Sequence, residues 1–111
     1  MAFLEISPII ANPTVQTLGG MVYISTEMRS TAGVLTTPGT SYTIQITGPA
    51  GTITTAYTTI TLGASAGLFY YLFATAITDS PGKYSVLIKA VDGGNTSIAR
   101  ADFLFELVLS N

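Results

Sequence analysis

The chain has no cysteine, no histidine and no tryptophan, and charged residues make up only 9% of its 111 positions. Without cysteine there is no disulfide framework and no thiol nucleophile. Without histidine as well, histidine-based triads and nearly all zinc sites are excluded. The four basic residues, Arg29, Lys83, Lys89 and Arg100, are dispersed, and the net charge is −2. A phosphate-tracking surface needs clustered Lys and Arg, so nucleic acid is not an expected partner. Neither GxGxxG nor GxxxxGK[ST] occurs, which removes the common phosphate-cradling loops. The longest apolar run, residues 67–77, is about half the length of a membrane helix, so no membrane span is expected. Nor does MAFLEI carry the basic start of a secretory signal.

What is abundant is strand and turn chemistry. Eighteen threonines and eleven glycines, with no window of good helix formers at 3.6-residue spacing, indicate an all-β domain. Residues 3–10 read as a first strand. Residues 1–15 form either an edge strand or an N-terminal arm that pairs with a neighbouring molecule. Residues 21–28 alternate, with Val22, Ile24 and Thr26 opposed to Met21, Tyr23 and Ser25. In residues 41–47, Tyr42, Ile44 and Ile46 face one way and Thr43, Gln45 and Thr47 the other. Pro38-Gly39, Gly48-Pro49-Ala50-Gly51, Pro81-Gly82 and Asp92-Gly93-Gly94-Asn95 supply turns. Residues 52–62 read as one Thr-rich strand whose Ile and Tyr face is core. On the final strand, Ala99, Ala101, Phe103, Phe105, Leu107 and Leu109 are expected to share one face. The run LFYYLFATA from Leu68 does not alternate, as befits a strand covered on both faces. Its side chains Phe69, Tyr71 and Phe73 are the expected subunit or partner interface, because aromatics are enriched in interface cores. Seven or so short strands at near-regular spacing predict one domain over residues 1–111, an antiparallel two-sheet sandwich.

Two stretches carry a resemblance. PGKYSVLIKAVDGGNTSIARADFLFEL resembles the closing hairpin of bacterial and phage immunoglobulin-like domains, and SYTIQITGPAG is similar to their middle hairpin. The likeness covers residues 40–109. It implies an immunoglobulin-like sandwich in which Tyr84 is a tyrosine-corner residue, its hydroxyl bonding back to nearby backbone. The cysteine pair and core tryptophan of antibody-type domains are missing, which sets this chain apart from that subclass.

The acids offer little chemistry. Asp102 and Glu106 share a strand face about 13 Å apart, beyond the roughly 5 Å of a retaining glycosidase pair. Asp102 is expected to neighbour Arg100. Asp92 and Asn95 could give oxygens to calcium with Asp79 joining them, too few ligands for a convincing site, so neither metal nor cofactor is expected. Tyr23, Tyr42, Tyr57, Phe69, Tyr70, Tyr71 and Phe73 could form a sugar-stacking platform, but on alternating strands such residues are usually core. An enzyme is therefore not expected.

Low charge and high apolar content leave a monomer short of polar surface, which favours a homo-oligomer or docking on a larger particle. Such a surface on a chain with no export signal suits a protein assembled inside a cell and exposed later. The expected function is a virion structural protein, a capsid decoration (cement) protein docked on neighbouring capsid subunits. The alternatives are an immunoglobulin-like adhesion or carbohydrate-binding module at a cell surface, and a filament or tail subunit that exchanges its first strand.

Overall fold

The computed structural model describes residues 4–109, and every element in them is a strand. In chain order these are β1 (Glu5–Ile6), β2 (Ile10–Asn12), β3 (Val15–Thr17), β4 (Met21–Arg29), β5 (Ser41–Thr47), β6 (Ile53–Thr59), β7 (Thr61–Leu62), β8 (Leu68–Ala74), β9 (Gly82–Asp92) and β10 (Asn95–Val108). They form two five-stranded sheets. One runs β1-β4-β8-β7, with β2 also on β4; the other runs β3-β10-β9-β5-β6.

Connectivity identifies the sandwich. The immunoglobulin plan puts the first, second, fifth and fourth strands in one sheet and the third, sixth and seventh in the other. Here β1/β2, β4, β8 and β7 fill the first set and β5, β9 and β10 the second. The chain adds β6 beside β5 and divides its N-terminal segment between the sheets. That division makes one departure from an all-antiparallel sandwich, since β3 pairs parallel to β10. The N-terminal segment is thus engaged, from Glu5 onward, within its own molecule. The single expected strand over residues 3–10 becomes two short ones, and Phe3 lies outside the described residues.

The core follows from period-2 alternation. Val22, Ile24, Thr26 and Met28 point inward from β4, Ile44 and Ile46 from β5, and Tyr84, Val86, Ile88 and Ala90 from β9. Thr26 is tolerated there because its hydroxyl donates to the Ser7 carbonyl at 3.0 Å.

The Thr-rich segment is two strands, because the chain changes sheets at Ile60, the one residue of residues 52–62 that is fully enclosed. Ile53 and Tyr57 are exposed rather than core. On β10, Ala99, Ala101, Phe105 and Leu107 do face inward, but the pairing with β9 slips between Ala101 and Phe105. Phe103 sits in that bulge with φ 55° and its ring is 69% exposed. A bulky side chain at positive φ is strained, and here the strain turns the ring away from the core.

The side chains of the expected interface pack in the core instead. Phe69 and Phe73 are 3% and 5% exposed and belong to the core, and Tyr71 is half-buried against it. The register explains this. Phe69, Tyr71 and Phe73 pair with Thr26, Ile24 and Val22, the inward residues of β4, and cross-strand partners share a face. The outward residues of β8 are Leu68, Tyr70, Leu72 and Ala74.

Candidate docking surfaces

The outer face of the β4–β8 sheet is apolar. Met21, Tyr23 and Leu72 are exposed there, Ile10 stands beside them on β2, and the Tyr23 and Tyr70 rings stack at 5.7 Å and 13°. Tyr23 pairs directly with Leu72, and Met21 with Ala74, so these side chains form one strip across the sheet. At its end a groove of about 460 Å³ runs between Pro8 and Ile10 on one side and Leu68 on the other, over Ser25 and Thr26. Glu27 closes it, ion-paired to Arg29 at 3.1 Å. Neither the apolar run nor its spacing revealed this strip; what located it was the parity of β8 against β4.

No charged residue occurs between Arg29 and Asp79, so β5, β6, β7 and β8 are neutral throughout. All ten charges lie on the other elements and their loops.

The outer face of the second sheet differs. Gln45, Thr47, Ser85, Arg100 and Asp102 line a depression of about 250 Å³ together with Val86 and Leu87. Arg100 and Asp102 do not pair: the one ion pair among the described residues is Arg29–Glu27. Farther along, the Lys89 ammonium lies 5.2 Å over the Tyr57 ring.

Tyr84 begins β9 after the Asp79–Gly82 turn. Its hydroxyl donates to the Ser80 carbonyl at 2.7 Å, four residues upstream, which is the geometry of a tyrosine corner. Burial, and then the neighbouring Asp79 carboxylate, push this hydroxyl above its ordinary value of 10.0.

The calcium candidates are separated. Asp79 precedes β9 and Asp92 ends it, about 35 Å apart along an extended strand. Asp79 holds its own turn, accepting from the Ala76 amide at 2.8 Å, whereas Asp92 holds the Pro38-Gly39 turn, accepting from the Gly39 amide at 2.9 Å. Among the described residues no three acidic side chains gather in one place.

No family model matches this sequence, and no curated protein does. Solved structures resemble this chain to different degrees. The Pseudomonas fluorescens alkylpurine DNA glycosylase AlkC, bound to DNA containing an abasic site analog, matches 97% of this chain at 20% identity and a TM-score of 0.61. The match covers 31% of that protein, so this chain spans under a third of its length. A chimeric titin Z1Z2 functionalised with a KLER peptide from decorin matches 96% of this chain and 98% of its own, at 14% identity and a TM-score of 0.41.

Proposed function

We propose that this protein is a non-enzymatic structural module that docks on neighbouring protein subunits, specifically a decoration protein of a viral capsid, located in the virion. The observation that carries the docking is the strip of Met21, Tyr23, Leu72 and Ile10 on the outer face of the β4–β8 sheet. Isolated exposed apolar residues are ordinary, whereas a contiguous strip with stacked tyrosines is the composition of an interface core. β8 and β7, which carry no charge, can be covered without desolvating one. Binding only the folded form, a shell and its decoration protein stabilise one another by mass action. The virion setting rests on the low charge and Thr-rich strand surface, which suit a particle exterior. The sequence, lacking both histidine and cysteine, offers little for catalysis.

Mass spectrometry of density-banded particles from the native source tests the setting. The chain should band with particles in stoichiometric amount. Its presence in the lysate and absence from the particles would refute the virion reading.

The depression around Arg100 and Asp102 favours a second reading, a carbohydrate-binding or adhesion module. An unpaired guanidinium and carboxylate beside an amide and two hydroxyls suit a polyhydroxylated ligand. A glycan array distinguishes the two: binding lost in Asp102→Ala supports the sugar reading, and a blank array removes it. The glycosylase's DNA does not transfer to this chain, because Arg29 is held by Glu27, Lys89 lies over Tyr57, and the four cations form no stripe.

A further inference from the structure

Open strand edges are where β proteins join one another, and most edges of this sandwich are blunted. β1, β2, β3 and β7 are two or three residues long. β6 is longer, but its pairing with β5 slips twice, between Ile44 and Ile46 and again before Thr47. Such bulges bend an edge away from an incoming strand. β8 lacks a second partner only from Tyr71 to Ala74.

β10 is different. It pairs with β9 along one side, while on the other β3 reaches only Glu106, Leu107 and Val108. The bulge around Phe103 lies just before that patch. From Asn95 to Ala101 the register with β9 is unbroken, Asn95 opposite Asp92 through Ala101 opposite Val86, and no strand of the described residues covers the outer side. This is the longest regular open edge among the described residues, and the backbone amides and carbonyls that point away from β9 can extend the sheet.

We propose that this edge pairs with the same edge of a second copy of the chain, antiparallel, about a two-fold axis at Ile98. Self-complementarity selects the occupant. Centring the pair on Ile98 sets Ile98 against the partner's Ile98, removing from water a side chain that is 59% exposed. Arg100, the one charge in the stretch, falls opposite the partner's Thr96, so no like charges meet. On the other face Ala99 and Ala101 meet the partner's Ser97 and the partner's Asn95, side chains too small to obstruct the approach. The register also brings the partner's Gly93–Gly94 tip level with the bulge and stops short of β3. Phe103, turned outward there by its positive φ, gains a backbone to lie against, once from each protomer. A two-fold contact of this kind closes on itself and does not grow into a filament.

Sedimentation equilibrium on the full chain tests the dimer from micromolar to millimolar concentration. The expected mass is twice 11.6 kDa. Ile98→Lys places two ammonium groups face to face and should return the mass to one chain. Ile98→Glu should do the same, and an equimolar mixture of the two variants should recover the doubled mass, showing that both chains are folded. Because the protein has no cysteine, register is testable by oxidation. Ile98→Cys should crosslink, its Cα lying about 5 Å from its symmetry mate. Thr96→Cys should not, at roughly 13 Å along the strand. A wild-type mass of one chain throughout, a doubled mass retained by Ile98→Lys, or crosslinking of Thr96→Cys as fast as Ile98→Cys would each overturn the proposal.

Discussion

The rings of Tyr84 and Phe105 lie 5.4 Å apart and within 8° of parallel, although β10 reaches that contact only after a bulge has shifted its register. Phe73 closes against both rings from the opposite sheet, at 6.0 and 5.7 Å. The three aromatics join the sheets at the end where Tyr84 is also tied to Ser80, so the contact combines apolar burial with one directed hydrogen bond.

Tyr84→Phe keeps the ring and removes that bond. It should lower stability by about 1–2 kcal/mol, since the Ser80 carbonyl loses its donor in a partly buried site, as measured by urea denaturation. The variant also has a pH signature. The folded protein holds the phenol above its ordinary value of 10.0, so the native state keeps a proton that the unfolded chain releases. Stability from this group is complete below pH 10 and is lost as the pH rises through the higher folded value. The gap between wild type and Tyr84→Phe should therefore narrow above pH 10; an unchanged gap would remove the ionisation argument.

Phe73 and Leu72 are adjacent and should behave oppositely. Phe73→Ala opens a cavity beside Tyr84 and Phe105 and should cost about 3–5 kcal/mol. Leu72→Lys, on the outer face, should stay within about 0.5 kcal/mol of wild type. It should instead weaken docking on the shell by about tenfold or more. Urea midpoints and co-sedimentation with particles separate the two effects.

Gly67 carries φ 79°, and a Cβ there would lie 2.6 Å from the Met28 carbonyl oxygen and 2.7 Å from the Thr36 amide nitrogen. Both neighbours are backbone held by their own hydrogen bond, Thr36 N–H to Met28 O at 2.9 Å, and cannot yield as a side-chain tip could. Gly67→Ala should cost more than about 2 kcal/mol, and a thermal melt no lower than wild type would show that this corner is looser than described.

Phe103→Gly should stabilise the monomer by about 1 kcal/mol, because it relieves a strained φ and gives up a ring that is 69% exposed. Thermal melts in the Ile98→Lys background isolate this effect from association. In the wild-type background the same change should weaken the dimer.

The sandwich was legible wherever one face of a strand is wet. On β4 and β5, polar residues at alternate positions mark the inward set, and Tyr84 was legible from its place after Pro81-Gly82. β8 was not, because Leu68 to Ala74 is apolar at nearly every position and no period shows which parity is core. Only the register with β4 decides that, and register is a non-local fact. The bulge at Phe103 hid for a related reason: alternation through Ala101, Phe103 and Phe105 is unbroken in the sequence, and it is the slip against β9 that breaks it. The change of sheet at Ile60 left no proline or glycine to mark it. Every candidate surface depends on one of these three places, so the fold could be read further than the site.

The parallel patch between β3 and β10 has a mechanical consequence. Val15–Thr17 and Glu106–Val108 run side by side in the same direction, flanked by backbone bonds of 2.8 Å from Glu106 to Thr14 and 2.9 Å from Leu18 to Val108. Tension that pulls the chain apart from the N-terminal side of β3 and the C-terminal side of β10 draws these strands past each other. The load then falls on every bond of the patch at once, in shear, instead of peeling them in turn. A short strand that adds little to the core thus lies directly in the path of such a load.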